Sequence, residues 1–118
     1  MTGGLVISRD NQIATHYHTG AVFGVTLSDE WFYNEYRNNV NKAGSYILQP
    51  AHSVHTLRVA DEATEDAVIW FAISGSELNM ADDGNVVSML DAKNMLAIYR
   101  ALCKAEGKSC DKVIVHGE

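Results

Sequence analysis

Residues 44–59 read GSYILQPAHSVHTLRV, a pattern typical of two β-strands joined by a turn. Gly44 opens the first strand, and Pro50 ends it because proline has no amide hydrogen for the strand ladder. The second strand, residues 54–59, alternates apolar and polar side chains, as a half-buried strand does. We therefore predict a strand–turn–strand unit that carries His55 close to the start of its second strand.

Similar short strands are predicted on both sides of this unit. They cover residues 12–19, 21–27, 30–36 and 67–73, and a turn at Asp82-Asp83-Gly84 joins two more at residues 77–81 and 85–90. Residues 67–73, AVIWFAI, form a near-continuous apolar run, which is typical of a strand buried on both faces. Many short strands separated by turns favour an all-β barrel or sandwich.

The period of the apolar residues changes after residue 90. Apolar side chains between residues 91 and 106 recur at helical spacing, which predicts a C-terminal α-helix that Asp91 caps and Gly107 ends. We expect its apolar stripe, which includes Cys103, to pack against the barrel or against a partner chain. Residues 112–115, KVIV, are a candidate final strand.

The composition is that of an acidic globular protein. With 118 residues, 47% of them hydrophobic, we expect one domain over residues 1–118, with the barrel at about residues 4–89 and the helix at about residues 91–106. The net charge of −6 and the scattered Lys and Arg argue against nucleic-acid binding. No apolar run approaches the ~20 residues of a membrane span. Two cysteines without a CxxC pair, and no signal-peptide pattern, predict a cytoplasmic protein.

Two histidines two residues apart, His16 and His18, are the first candidates for a metal site. In a strand, residues i and i+2 point to the same face, about 6–7 Å apart at the backbone, so both imidazoles can reach one ion. The alternative is a pair of surface histidines beside a turn.

His55 is the third candidate. If the strands on either side of Pro50 lie beside residues 16–18 in a barrel, His55 enters close to the level of His16 and His18. The alternative for His55 is a hydrogen-bonded core histidine, and His52 is expected to be an exposed turn residue.

These residues resemble the two metal-binding motifs of the cupin superfamily. HYH at residues 16–18, followed by Gly24, resembles the first motif, which runs HxH, Glu, Gly; residues 44–55 resemble the second, G-x5-P-x-G-x2-H-x3-N. The resemblance implies a double-stranded β-helix, or jelly-roll barrel, with the metal held between the motifs. The sequence departs from the motifs in lacking the usual Glu and in having His52 for the usual Gly and Val59 for the usual Asn.

From about His16 onward, the sequence is more closely similar to cupins of the 2,4'-dihydroxyacetophenone dioxygenase type, notably over residues 18–36 and 42–57. Members of that group use non-haem iron and O2 to cleave a carbon–carbon bond beside a carbonyl. The resemblance implies an Fe(II) site at His16, His18 and His55, and a small diketone or hydroxyketone as substrate. Neutral imidazoles would also accept Zn, Ni, Cu or Mn.

Glu35 is the candidate carboxylate ligand. It lies in the aromatic strand predicted at residues 30–36, where a buried Glu would be costly unless it met a cation. Its position agrees with the carboxylate that the resemblance implies. The alternative is a solvent-facing Glu on the outer wall of the barrel.

Five aromatic residues are candidates for an apolar lining that excludes water from the site, although each is also expected as plain core: Phe23, Tyr33, Tyr46, Trp70 and Phe71.

Two classes of function remain open at this point. The first is a metal-dependent dioxygenase, an oxidoreductase that acts on a small ketone. The second is a non-catalytic cupin, a sensor or scaffold that binds a metal or small molecule. A Zn-dependent isomerase or hydrolase is a further alternative. The short barrel and the apolar helix predict a homodimer.

Overall fold

A computed structural model describes residues 2–8 and 11–116 of the chain. Its elements, in chain order, are β1 (Thr2–Ile7), β2 (His16–His18), β3 (Val22–Ser28), β4 (Glu30–Tyr33), a 3-10 turn (Asn34–Tyr36), β5 (Asn41–Lys42), β6 (Tyr46–Gln49), β7 (Leu57–Val59), β8 (Ala67–Ile73), β9 (Glu77–Met80), β10 (Val86–Leu90) and α1 (Ala92–Ala105).

The strands form three antiparallel sheets. The largest has four strands in the order β1-β8-β3-β6, and the two smaller sheets have the orders β10-β9-β2 and β5-β4-β7. Neighbours in the sheets are distant in sequence: Val22 of β3, for example, pairs with Gln49 of β6 on one side and with Ile73 of β8 on the other. Short strands from separate parts of the chain therefore meet around one interior.

The core lies between the four-stranded sheet and the β5-β4-β7 sheet. Trp31 of β4 and Ile69 of β8 are fully buried and belong to the same cluster as Leu57 and Val59 of β7. The indole Nε1 of Trp31 donates to Thr26 Oγ1 at 2.9 Å, so the largest buried side chain also has its polar atom satisfied. This core supports β7 and the segment before it, which carries His55.

Most of the predicted elements are present. The structure confirms the mainly β architecture, the hairpin between β9 and β10, and the C-terminal helix. The side chain of Asp91 accepts a hydrogen bond from the amide of Asn94, and the Asn94 side chain accepts one from the amide of Asp91, which together form a capping box. Gly107 has the left-handed backbone, at a φ of 66°, that ends the helix.

Four predicted strands differ. The strand predicted at residues 12–19 is present only as His16–His18, and the strand predicted at residues 54–59 only as Leu57–Val59. Residues 30–36 form a strand only as far as Tyr33, because Asn34–Tyr36 turn into a 3-10 helix. The amide of Asn34 still donates to Thr56 O at 2.9 Å, next to the last pair of the β4–β7 ladder, before the chain turns. Residues 112–115, the candidate final strand, form no strand.

The faces of two other elements differ from the prediction. Strand β8 is buried on one face only, since Ala67 and Ile69 are buried whereas Trp70 is 37% exposed. No residue of α1 is buried and Cys103 is half-buried, so Cys103 is not the core thiol that the apolar stripe suggested. Met95 of the stripe lines a cavity together with residues of the strands, and packing of the stripe against a partner chain stays a prediction. Among the described residues, no helix combines the length and apolarity needed to cross a lipid bilayer.

Candidate metal centre

The geometry of strand β2 directs two imidazoles into the interior. His16 and His18 are 6% and 5% exposed, while Tyr17 between them is half-buried, as the two-residue period of a strand requires. His16 forms an antiparallel bridge with His55, in which each amide donates to the carbonyl of the other at 3.0 Å. Residues directly opposite in such a pair present their side chains on the same face, so His55 joins the other two.

The three imidazoles form one cluster. The ring centroids are 5.0 Å apart for His16 and His18, 4.6 Å for His16 and His55, and 5.7 Å for His18 and His55. One nitrogen from each ring lies within 4.8 Å of the others, and all three residues are buried. The structure therefore brings together the three histidines that the sequence singled out.

Hydrogen bonds on the outer side of two rings orient the ring nitrogens. His16 Nδ1 lies 2.7 Å from Ala14 O, and a carbonyl only accepts, so Nδ1 carries the hydrogen and Nε2 is left with a lone pair. The ring of His55 also has a backbone hydrogen bond to Ser53. His16 Nε2 and His55 Nε2 then face each other at 3.1 Å.

This separation fits two ligands of one ion. Two nitrogens that each lie about 2.1 Å from an ion, at angles between about 90° and 110°, are about 3.0–3.4 Å apart. His18 adds a buried Nδ1 that has no hydrogen-bond partner in the described part of the chain. A buried nitrogen without a partner is unfavourable unless something binds it. The donor set therefore fits a divalent transition-metal ion.

Burial keeps two of the imidazoles neutral. It lowers the pKa of His18 from 6.5 to about 4, with a smaller contribution from His16. The pKa of His55 is lowered from 6.5 to about 3, mainly by burial and also by His16 and His18, against the opposing effect of the backbone bond to Ser53. Neutral imidazole is the form that binds metals, so these rings are ready to act as ligands at neutral pH.

The imidazoles open into a cavity of about 300 Å³. Most of its lining is apolar and comes from several elements: Leu5, Ile13, Leu57, Phe71, Leu90 and Met95. Among the described residues, Glu77 is the one charged side chain that lines the cavity. A small ligand with a largely apolar surface suits such a space.

The aromatic residues predicted as a lining divide into two groups. Tyr33 and Phe71 line the cavity. Phe23, Tyr46 and Trp70 are on the outer face of the four-stranded sheet and are 38%, 72% and 37% exposed. Alternation places all three on the side of the sheet opposite the core.

Glu35, the predicted carboxylate, lies outside the imidazole cluster. It is exposed, and its two carboxylate oxygens accept hydrogen bonds from the amide and the hydroxyl of Thr56, both at 2.9 Å. The physical reason is the end of β4 at Tyr33, which takes Glu35 out of the strand alternation. Glu35 therefore anchors the backbone next to His55 from the outside.

Sequence reasoning missed two polar residues of the cavity, Glu77 and Gln49. Glu77 is the cross-strand neighbour of His18. That pairing joins segments far apart in sequence, so no local pattern indicates it. Gln49 is a buried polar residue in the otherwise apolar strand β6, and this position was a signal available in the sequence.

The other two histidines are not part of the cluster. His52 is an exposed turn residue with a left-handed φ of 67°, as expected, and its amide donates to His18 O at 2.8 Å. His116 is exposed.

Solved structures with a cupin-like fold are similar to this chain over most of its length. An RmlC-like cupin protein from Ralstonia eutropha JMP134 has 27% sequence identity and a TM-score of 0.85, over 92% of this chain and 68% of that chain. A protein of unknown function with a cupin-like fold, from the same organism, has 22% identity and a TM-score of 0.80, over 100% and 74%. These similarities confirm the predicted cupin-like fold.

An acetylacetone dioxygenase from Acinetobacter johnsonii is also similar in fold, with 13% identity and a TM-score of 0.69, over 85% of this chain and 66% of that chain. No protein-family model matches the sequence, and comparison with curated proteins also found no match. Fold and site together define a cupin-like protein with three buried histidines that could hold a metal ion.

Proposed function

We propose that His16, His18 and His55 hold one divalent metal ion, Fe(II), and that the protein is a dioxygenase that cleaves a carbon–carbon bond beside a carbonyl in a small diketone or hydroxyketone. The observation that carries the proposal is the pair of Nε2 atoms of His16 and His55, 3.1 Å apart, with the Nδ1 of His16 already engaged by Ala14 O. Metal-binding histidines commonly donate their second ring N–H to a carbonyl in this way.

The cavity supports a small, largely apolar substrate. The three imidazoles are neutral ligands, so a bound divalent ion would keep its full charge and would favour a ligand that can give up a proton, such as an enol. When bound, the metal would polarise the carbonyl as a Lewis acid. The apolar walls, including Phe71 and Leu57, would exclude water from the reacting group. The fold similarity to an acetylacetone dioxygenase is consistent with this substrate class.

The proposal is tested first by metal content. We expect the purified protein, reconstituted with Fe(II), to hold about one metal ion per chain, and His55→Ala to lose it because two imidazoles leave an incomplete shell. His52→Asn is the matched control, since it removes an exposed imidazole and keeps a side chain that tolerates the left-handed backbone. Equal metal content in His55→Ala and the wild type would contradict the metal site.

Activity is tested with an oxygen electrode. The Fe(II)-loaded protein is expected to consume O2 when acetylacetone or a hydroxyacetophenone is added, and His55→Ala is expected not to. A metal-loaded protein that consumes no O2 with either class of substrate would contradict the dioxygenase and leave the metal site intact.

A Zn-dependent isomerase or hydrolase is the second candidate. It is favoured by the composition of the cluster, which contains three histidines and, among the described residues, no carboxylate. Three histidines with an open position are a known arrangement for catalytic zinc. Retention of Zn(II) in preference to Fe(II), without O2 uptake, would support this candidate.

We also propose a cytoplasmic location. Cys103 and Cys110 are both free, as is usual in a reducing compartment. Localisation of the full chain by fractionation of its native host tests this point.

A further inference from the structure

One buried amide in the cavity is only half satisfied. Gln49, at the end of β6, is 8% exposed, and its Nε2 donates to the hydroxyl of Tyr33. Its Oε1 is buried and has no hydrogen-bond partner among the described residues. Buried polar atoms are nearly always hydrogen-bonded, because desolvation without a partner is unfavourable. Because Gln49 lines the cavity, a donor group on a ligand bound there would satisfy this oxygen.

The pair lies beside the imidazoles. Gln49 and Tyr33 line the same cavity as the three histidines, and the ring centroid of Tyr33 is 4.4 Å from that of His55. Both residues, together with His55, also line a second cavity of about 350 Å³. A ligand bound at the imidazoles would thus meet the Gln49–Tyr33 pair as its polar wall.

The hydrogen-bonding capacity of the pair does not depend on which way the amide is turned. If Gln49 Nε2 donates to Tyr33, the phenol proton remains as a donor and Oε1 as an acceptor. If the amide is reversed, the phenol donates to Oε1, the NH2 group remains as a donor and lone pairs on the two oxygens remain as acceptors. In both arrangements the pair offers at least one donor and one acceptor.

We propose that Gln49 and Tyr33 are specificity-determining residues that bind a ligand through a hydroxyl group and a neighbouring carbonyl. The hydroxyl satisfies the acceptor of the pair, and the carbonyl accepts from its donor. A ketone that has no hydroxyl group lacks this donor, so the pair selects hydroxyketones over ketones without a hydroxyl group. This inference rests on the proposed function, because it concerns the ligand of the same cavity.

The charges of the cavity agree with an uncharged ligand of this kind. Among the described residues, no Lys or Arg lines the cavity, and its one charged side chain, Glu77, is acidic. A carboxylate or phosphate ligand would find no cationic partner among these side chains. A hydroxyl and a carbonyl need only the neutral donor and acceptor that the pair provides.

The test compares two probes that differ by one hydroxyl, 2-hydroxy-1-phenylethanone and acetophenone. Their dissociation constants are measured by calorimetry on the Zn(II)-loaded protein, which cannot turn them over with O2. We expect Gln49→Leu and Tyr33→Phe each to reduce the preference for the hydroxyketone by about fivefold to tenfold, the usual effect of one lost hydrogen bond. Chelation of the metal by the hydroxyketone is the same in every variant and cancels in this comparison.

Matched controls remove the same groups elsewhere. Tyr46→Phe deletes a phenol hydroxyl from a 72% exposed residue, and Gln12→Leu deletes an exposed amide. Both are expected to keep the wild-type preference. Gln49→Met is the second variant at position 49 in case Gln49→Leu does not fold, because methionine keeps the length of the side chain without its polar atoms. Loss of the hydroxyketone preference in it supports the proposal.

Metal content is measured on each variant before titration. A wild-type preference that Gln49→Leu or Gln49→Met retains, at full metal content, would overturn the inference and leave the metal site standing. Failure of the wild type to bind any metal would overturn the proposed function instead. In that event the same two probes are titrated into the metal-free protein. A lower preference for the hydroxyketone in the position-49 variants than in the wild type would then support the role of the Gln49–Tyr33 pair, and an equal preference would contradict it.

Discussion

A backbone carbonyl and a carboxylate outside the cavity hold the histidine-bearing segments of the candidate site in place. Ala14 O occupies Nδ1 of His16, which turns Nε2 towards His55. The neighbouring carboxylate of Glu35 holds the amide of Thr56, the residue that follows His55, at 2.9 Å. Two of the three rings are thus fixed through backbone contacts that lie outside the cavity, which is how a small cluster is oriented before any ligand binds.

The first prediction at this scale concerns pH. The pKa of His18 is about 4 and that of His55 about 3, against 6.5 for a free side chain. Because the folded pKa values are the lower ones, the unfolded chain takes up protons first as the pH falls. The contribution of these two groups to the free energy of unfolding is therefore fully present above pH 6.5. It is lost as the pH falls from about 6.5 towards 3, by on the order of 1 kcal/mol per pH unit for each group.

Chemical unfolding of the metal-free protein at several pH values between 7 and 4 measures this loss. His55→Gln removes one of the two groups and is expected to weaken the dependence. A free energy of unfolding that does not change between pH 7 and 4.5 would contradict the assignment.

The second prediction compares the contributions of Glu35 and Glu77 to metal affinity. Glu35→Gln is expected to leave metal affinity unchanged, because its carboxylate is exposed and bonded to Thr56. Glu77→Gln is expected to weaken metal binding by about tenfold, because Glu77 lies opposite His18 and lines the cavity. Competition with a chromophoric chelator gives both affinities. The reverse order of effects would reinstate Glu35 as the carboxylate of the site.

At the scale of elements, local sequence signals set the ends of the helix α1 but not the end of the strand β4. The helix has both of its local end signals, the Asp91 capping box and Gly107, and it forms with almost the predicted bounds. The strand after Ser28 has a strong local pattern over residues 30–36 but ends at Tyr33, where a 3-10 helix begins and Glu35 accepts hydrogen bonds from Thr56. Alternation alone carries no information about such partners.

We expect Asp91→Ala to destabilise the first turn of α1 without affecting the three imidazoles. Loss of the cap costs about 1 kcal/mol, and the helix has no buried residue to offset it. Hydrogen exchange of the amides of residues 92–96 is expected to accelerate, while metal content stays constant. Asp82→Ala, in the exposed turn between β9 and β10, is the control. Unchanged protection in Asp91→Ala would show that other contacts hold the helix.

At the scale of the whole molecule, the outer face of the four-stranded sheet has an unusual composition. Strands β1, β8, β3 and β6 contain no charged residue. Their outward side chains include Tyr46 and Leu48, both 72% exposed, and the paired rings of Phe23 and Tyr46 at 5.9 Å. A contiguous apolar face of this kind is typical of a protein interface.

We propose that a second copy of the chain covers this sheet face. A face whose strands contain no charged residue can meet itself about a twofold axis without placing like charges together, although the chain has a net charge of −6. Sedimentation equilibrium at micromolar concentration is expected to give a dimer, and Leu48→Lys a monomer. Val87→Lys, at a residue of β10 that is 66% exposed, is expected to remain dimeric. A monomeric wild type would contradict the proposal.

Several features of this protein follow from the sequence by itself. The resemblance of residues 16–24 and 44–55 to the two cupin motifs implies the cupin-like fold and indicates His16, His18 and His55. The short strands and their turn residues predict the mainly β architecture, because strand period and turn residues act over a few neighbouring positions. The ends of α1 follow for the same reason.

Only the tertiary structure decided the rest of the cavity. Glu77 meets His18, and Gln49 meets Tyr33, through strand pairings and packing that join distant segments. A shift of one residue in such a register would turn every side chain of the strand to the other face. No local pattern specifies that register, so which polar groups surround the imidazoles is settled only when the sheets assemble around their shared core.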